Sequence, residues 1–429
     1  MLHVAFQAPG SIDPDSPDIY ERSIAVDGTV GAPVAVQSNW AALNAPDLVA
    51  AQDGVGLAAF FGGIRSLDPG ETNKELNMVT SPDSGATWNL TPGSIGPPGT
   101  AYASPMSATR LGDVYWQGWG GSGTDAWVHR GTSSASPDIS LQDRIGGGCC
   151  GYDVNLAADP VSNTVLVSWY SNATVNQGVF GQLFDAAGTP VGNPVLMPGS
   201  TSQYQGKTES TSGLERVPTV LVPGRGYALA YPSGYPTSKR IVLWAPPSTT
   251  STTIAHTTSG VAGLGLAAAA DGWLWVAWSQ NQTLYARRSN AAGTAWGAIV
   301  TIGPPKHTGS IWKVDADANP GGPLDLFTNV DTPGSTAFWH TQVLPGLSLS
   351  ASPTSVHHKP ATHVTFTVSD AGDPVAGAKV KVGGVSGTTS AAGTVSLTLG
   401  PFAKKVKHVT ATATRAGYSN AALKLKVKP

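Results

Sequence analysis

Charge is scarce in this sequence: Asp, Glu, Lys and Arg together make up 12% of its 429 residues. Cysteine is scarcer still, with two residues, and these are adjacent, Cys149-Cys150. No hydrophobic run approaches the roughly 18 residues that a membrane-spanning helix needs, so no transmembrane helix is expected. No glycine-rich phosphate loop or nucleotide fingerprint occurs, which removes the usual nucleotide-dependent activities. Basic residues are not interleaved with aromatics, and most of the chain is net acidic, so no nucleic acid is expected as partner. Spaced metal-binding cysteines are also missing, and no metal is expected. The vicinal pair forms either a strained small-ring disulfide or two free thiols, and an oxidising compartment favours the ring. The first residues, Met1-Leu2-His3-Val4-Ala5-Phe6, already read as a strand. No export signal precedes them, and Met1 is read as standing where one was removed. The expected location is secreted or cell-surface, in a bacterium.

Glycine (52) and proline (33) are abundant, yet 41% of residues are hydrophobic and 13 are Trp. That combination calls for many short strands and tight turns rather than disorder. The length exceeds what one compact core usually holds, so two domains are expected.

Strand–turn–strand segments recur through the first 345 residues. They run from Asp47 to Phe61, Met106 to Trp116, Asp153 to Trp169, Val217 to Tyr231, Gly265 to Trp278 and Lys313 to Phe327. Each is small and apolar at first, turns at Asp-Gly, Asp-Pro or Pro-Gly, and then alternates bulky residues up to an aromatic. The spacing of about 50 residues is the period of a four-stranded propeller blade. Small residues suit the innermost strand, where sheets converge, and bulky ones fill the space between blades. Leu2 to Gln7 reads as the second strand of a further blade. Counting it gives seven blades, with the ring closed by N- and C-terminal strands sharing one sheet; six remains open.

Ser81-Pro82-Asp83-Ser84-Gly85-Ala86-Thr87-Trp88 follows the strand-like run 75–80. Asp83 and Ser84 can bond nearby backbone N–H groups, Gly85 supplies an unusual backbone angle, and Trp88 turns inward between sheets. The segment resembles the Asp-box of sialidase-like (BNR-repeat) β-propellers, Ser-x-Asp-x-Gly-x-Thr-Trp, at Ser81, Asp83, Gly85, Thr87 and Trp88. The resemblance implies that architecture and an extracellular glycan as partner. In that family the Asp-box is a structural turn away from the active centre. Ser289 to Trp296 keeps the Ser, Gly and Trp at the same spacing, with Ala in place of Asp and of Thr; Phe184-Asp185-Ala186-Ala187-Gly188-Thr189 keeps only the Gly. The family's Arg-Ile-Pro motif is not found, and Arg216-Val217-Pro218 lies mid-chain where that motif is not expected, so sialidase activity itself is not implied.

From Pro345 the texture changes to Thr, Val and Lys without Trp. Alternating runs such as 363–368, 378–382, 394–399 and 422–427 read as half-buried strands. The segment 372–382 followed by 393–397 resembles bacterial Ig-like modules, which implies a β-sandwich at 346–429 beside a propeller at 1–345. Residues 346–429 hold ten basic and two acidic side chains, a balance of +8; the rest hold 15 basic and 25 acidic, a balance of −10, together the formal −2. A basic module beside an acidic body suggests attraction to a polyanionic surface, and Lys residues that solubilise a small sheet would give the same count.

In a propeller, ligands bind where loops lead into the innermost strands. Aligning the hairpins on their turns brings Asp47, Asp153 and Lys313 to equivalent positions, with Tyr152, Glu215, Arg216 and Trp312 next to such positions and His307 in a preceding loop. Asp47 and Asp153 are candidate acid and base for glycoside hydrolysis. Tyr152 with Arg144 or Lys313 could instead abstract a proton beside a uronate, the chemistry of a polysaccharide lyase. Carboxylates and bases that pair to stabilise the channel mouth are the structural alternative. The loop Arg144-Ile-Gly-Gly-Gly-Cys-Cys-Gly-Tyr152 would approach a ligand closely. Trp116 and Trp119 could stack on sugar faces, as could Tyr235. His357, His358 and His363 read as an exposed strand start or a metal site, and Asp315-Ala-Asp317-Ala-Asn319 as a hairpin or a weak Ca²⁺ turn. Two functions stay open: a glycosidase or lyase acting on an extracellular glycan, and a non-catalytic glycan-binding, adhesion or scaffold protein that contacts a glycan or cell-wall polymer. Neither sugar nor oligomeric state is legible.

Overall fold

The computed structural model describes residues 1–10, 17–25, 27–65, 75–96, 106–120, 125–146, 151–173, 175–200, 217–233, 239–258, 261–280, 282–303, 311, 313–318, 322–332 and 335–429. These residues form strands, turns and one short 3₁₀ turn, Asp143–Ile145. The fold is all-β. No described helix is long and apolar enough to cross a membrane.

Seven small antiparallel sheets follow one another along the chain. Sheet I contains Leu2–Ala8, Asp18–Ile24 and Val34–Gln37. Sheets II to VI begin with the strands Asp47–Ala50, Ser107–Leu111, Gly151–Asp159, Thr219–Val222 and Gly263–Ala268, and each adds three more strands in sequence order. Sheet II also takes up the short strand Ala42–Leu43. Sheet VII contains Val314–Ala318, Leu324–Thr332 and Ser335–Val343. All six expected hairpins become the first two strands of sheets II to VII. The expected ring closure differs: Leu2–Ala8 pairs with Asp18–Ile24 in its own sheet, and Ser335–Val343 pairs with Leu324–Thr332 in another. No strand of one joins the other among the described residues.

The chain separates into two compact units, residues 1–221 with 226–264, and residues 222–225 with 265–429. In the first, each sheet buries a face against the next. Ile19, Trp40, Phe61 and Val79 fill the space between I and II; Phe60, Met78, Met106 and Trp119 that between II and III. Trp116, Val154, Leu156 and Trp169 lie between III and IV, and Tyr170, Leu229, Tyr231 and Trp244 between IV and V. A strand points successive side chains to opposite faces, and here both faces are covered, so second strands such as LAAFFGGI (57–64) are buried almost throughout. Some of these faces meet closely. A Cβ on Gly118 would lie 2.5 Å from Cγ1 of Val154, so only glycine fits there.

The second unit contains sheets VI and VII, joined by Trp275, Ala277, Leu284, Leu324 and Leu326, and a two-sheet sandwich. One sandwich sheet holds Ser348–Ser352, Thr362–Asp370, Asp373–Pro374 and Thr394–Leu399. The other runs Ser355–His357, Ala421–Lys428, His408–Thr414, Lys379–Val382 and Val385–Thr388, with its first pair parallel. Val364, Phe366, Val380, Leu399, Ala411 and Leu425 close its core. The alternation legible in the sequence becomes a clean inside–outside pattern, as in Ala421–Lys428, whose Leu425 and Val427 are buried and whose Lys424, Lys426 and Lys428 are exposed.

Sandwich and sheet VI meet through Arg288 at the end of strand Thr283–Arg288. Its guanidinium pairs with Asp370, both nearly excluded from solvent, and lies 3.6 Å from the ring centroid of Trp273. Beside this pair Asp373 accepts the Ala291 N–H at 2.9 Å. Burial pushes the Asp370 carboxyl up to about 6, the attraction of Arg288 offsetting only part of the desolvation.

Candidate functional site

The best-defined polar feature of the first unit is the turn that links the strands Glu75–Ser81 and Asn89–Leu90. Asp83 accepts the Thr87 N–H at 2.8 Å and the Thr87 hydroxyl at 2.7 Å, while Ser81 donates its hydroxyl to the same carboxylate at 2.8 Å. Ser81 Oγ in turn accepts the Gly85 N–H at 2.8 Å. These donors hold the Asp83 carboxyl below its usual range, Thr87 contributing most. Gly85 has φ +87°, and a Cβ there would come within 2.9 Å of a Glu21 carboxylate oxygen. Trp88 is half-buried against the core between sheets I and II. The network is complete in itself and leaves no group aimed at a ligand; its chemistry is that of a turn.

The turns at 185–189 and 290–295 are better built than their sequences suggest. Asp185 accepts the N–H groups of Ala187 and Thr189 at 2.9 and 2.8 Å, ahead of Gly188 at φ +88°. Asn290 Oδ1 accepts those of Thr294 and Ala295 at 2.8 and 3.0 Å, ahead of Gly293 at φ +70°. In both, the capping side chain stands one residue earlier relative to the glycine than Asp83 does to Gly85. A scan for any Asp or Asn within three residues before the glycine would have found them.

Asp47 sits at the start of its strand as expected. Its Oδ1 accepts its own strand's Leu48 N–H at 3.0 Å, and its Oδ2 accepts the Ala108 N–H of sheet III at 2.8 Å. The carboxylate therefore ties the first strand of sheet II to that of sheet III. Arg144 lies in the 3₁₀ turn Asp143–Ile145, half-buried, with its Nε enclosed and without a hydrogen-bond partner. Lys313 is half-buried just before strand Val314–Ala318, and its carbonyl accepts the Thr328 hydroxyl.

Trp116 and Trp119 do not form a stacking platform. They are 0% and 1% exposed. Three residues apart on one strand, they point to opposite faces of sheet III, and a neighbouring sheet covers each face. Trp116 enters the core toward sheet IV beside Phe184, and Trp119 the core toward sheet II. The side chains of Tyr152 and Asp153, and residues Cys149, Cys150, Glu215, Arg216, Tyr235, His307 and Trp312, lie outside what the structure describes.

The calcium turn is a strand: Asp315 and Asp317 stand in Val314–Ala318, opposite Phe327 and Asp325, and Asn319 is outside the described residues. The described residues contain no cluster of three or more His, Cys, Asp or Glu able to hold a metal ion. His357 and His363 engage the Pro429 carbonyl and the Thr398 hydroxyl instead.

Sequence reasoning missed a buried acid. Glu21 is 2% exposed, 2.8 Å from His3 Nδ1. Burial raises its carboxyl above the usual range, while His3 pulls the other way. It also missed a buried polar pair in sheet III, Gln117 opposite His129, both 0% exposed. His129 Nδ1 meets Asp138 at 3.0 Å. The sequence signal for both was a polar residue at an inward position of an alternating strand.

No family model matches the chain, and no curated relative does. Solved structures are similar in fold. The BP39L lectin from Burkholderia pseudomallei matches 79% of this chain and 92% of its own, with 15% identity and a TM-score of 0.52. The Hadza microbial sialidase Hz136 matches 76% and 74%, with 12% identity and a TM-score of 0.41. The six-bladed β-propeller lectin of Aleuria aurantia matches 79% and 90%, with 12% identity and a TM-score of 0.37. The fold is of the β-propeller type.

Proposed function

We propose that the chain is a secreted or cell-surface glycan-binding protein. Its sheets at 1–345 form a sialidase-like propeller that holds a glycan at the loops leading into the innermost strands. Residues 346–429 form an Ig-like accessory, and 81–88 is an Asp-box with a purely structural role. The observation that carries the choice of binding over hydrolysis is the engagement of Asp47. Hydrolysis needs two carboxyl groups free to trade protons across a glycosidic bond. Asp47 instead accepts two backbone N–H groups and joins two sheets. The similarity in fold to a lectin over nearly that lectin's whole length supports the same reading. Arg144, half-buried in the 3₁₀ turn Asp143–Ile145, carries a guanidinium that can meet a sugar hydroxyl or carboxylate.

The test is a glycan array run beside a turnover screen on polysaccharides, with wild type, Arg144→Ala, Asp153→Ala and Asp47→Asn. Binding without turnover, weakened tenfold or more by Arg144→Ala and unchanged in Asp47→Asn, is the expected result. Asp47→Asn should lower stability by about 1 kcal/mol, since one acceptor weakens at a joint. Turnover that Asp153→Ala abolishes would replace this reading with a glycosidase or lyase built without Asp47, using Asp153 and Tyr152.

A further inference from the structure

The register of the five-stranded sandwich sheet sorts its residues onto two faces. The inner face carries Val356, Val380, Val382, Ala411, Ala413, Leu425 and Val427, all buried. The outer face carries Lys379 and Lys381 on one strand and Lys424, Lys426 and Lys428 on another, all exposed. Between these strands runs His408–Thr414, which turns His408, Thr410, Thr412 and Thr414 outward. Lys379 and Lys381 stand opposite Thr414 and Thr412, whereas Lys424 and Lys426 stand opposite Thr410 and His408. The lysines thus form a diagonal band across three strands. From Lys379 to Lys428 the offset is about eight residues along the strands and two strand spacings across. That is roughly 28 Å at ~3.3 Å per residue and ~4.8 Å per strand.

Nothing on the sandwich neutralises this band. Its two acidic residues are Asp370 and Asp373. One is buried against Arg288, and the other accepts the Ala291 N–H. None of the five lysines has an ion-pair partner among the described residues. Lysines that only solubilised a small sheet would need no alignment and no removal of both acids to a contact elsewhere.

We propose that this face is a second binding site, specific for a linear anionic polysaccharide. It is independent of the propeller loops. The composition of the face selects that ligand among polyanions. Its strands carry no arginine, and their only outward rings are the imidazoles of His357 and His408, so it offers neither a bidentate phosphate fork nor a continuous run of large aromatic faces on which successive bases stack. It carries no exposed apolar side chain larger than Ala422 on its central three strands, so it has nothing to insert into a bilayer. It supplies point charges interleaved with hydroxyls. A chain of sugars bearing regularly spaced carboxylates or sulfates presents the complementary groups: charges for the ammoniums, hydroxyls for the threonines.

The experiment passes the full chain over immobilised polygalacturonate and dextran sulfate, with neutral dextran as reference, at increasing salt. Wild type should be retained on both anionic matrices and released as salt screens the lysines. Changing Lys379, Lys381, Lys424, Lys426 and Lys428 to Gln should weaken retention at least tenfold. Changing Lys359, Lys404 and Lys405, exposed in connecting segments, to Gln should alter it less than twofold. Both sets are on the surface, and circular dichroism checks that they fold. Losses that follow only the number of charges removed, five against three, would reduce the effect to net charge and overturn the proposal, as would no retention of wild type. Binding to duplex DNA or to phosphatidylserine vesicles as tight as to the polysaccharides would overturn it too. Arg144→Ala and Asp153→Ala should leave retention unchanged, so failure of the propeller reading and failure of this one are told apart.

Discussion

The turns 81–88 and 289–296 begin as the same device and end as different ones. In the first, a carboxylate inside the turn satisfies the backbone and hydroxyl donors around it. In the second, Asn290 caps the far side, and the N–H of Ala291 is satisfied by Asp373 of the sandwich. Of the two alanines that look like decay in the sequence, Ala295 has its N–H accepted by Asn290 within the turn, and Ala291 marks a place where another element supplies the acceptor. Loss of a motif residue need not mean loss of its interaction: the neighbouring Asn290 takes over the N–H at 295, and Asp373 adds a bond that makes the turn part of a joint.

Five changes probe this contrast. Arg288→Ala should have the largest effect, a loss of about 3–5 kcal/mol in denaturant titration, because it leaves Asp370 buried and unpaired. Arg288→Met with Asp370→Leu should recover most of it. Gly85→Ala should cost about 1–3 kcal/mol by the same measurement, since the alanine would adopt φ near +87° and press on Glu21. Asp83→Ala should lower the midpoint by less than Gly85→Ala and speed amide exchange at Thr87, leaving exchange in the sandwich unchanged.

Acidification should act on the turn 81–88 and on the Arg288–Asp370 junction with opposite sign. The Asp83 carboxyl is held lower in the folded chain than in the unfolded one, so its contribution is full above the unfolded value and is lost as pH falls through the lower folded one. Asp370 is raised to about 6. The folded chain therefore binds its proton more readily, and stability at the junction falls as pH rises from about 4 to about 6. Exchange at Thr87 should quicken only in strong acid, whereas exchange near Arg288 should slow between pH 6 and pH 4. Asp373→Asn should have the smallest effect, faster exchange at Ala291 with little change in midpoint.

Much of the fold was legible because it is periodic. Small first strands, bulky second strands and Gly or Pro turns placed the starts of six hairpins within two residues of the observed strands and their ends within five. The turn at 81–88 was legible because Ser81, Asp83 and Gly85 each supply a bond or a backbone angle that it needs. The site was less so. Trp116 and Trp119 alternate like surface-and-core residues, and the sequence does not reveal that both faces of sheet III are covered. Asp47 occupies the expected position, but a carboxylate at a strand start serves a neighbouring N–H as readily as a ligand. The direction of Asp315 and Asp317 depended on strand pairing rather than on local composition.

The Arg288–Asp370 pair has a bearing on how the molecule can be cut. Composition invites dissection at 345/346, where tryptophan stops and lysine begins. A fragment ending there would keep a guanidinium over Trp273 with its counter-charge removed, and the matching fragment would carry an exposed carboxylate pair at its tip. The apparent module border is therefore a poor cleavage point; the two halves should be expressed as one piece.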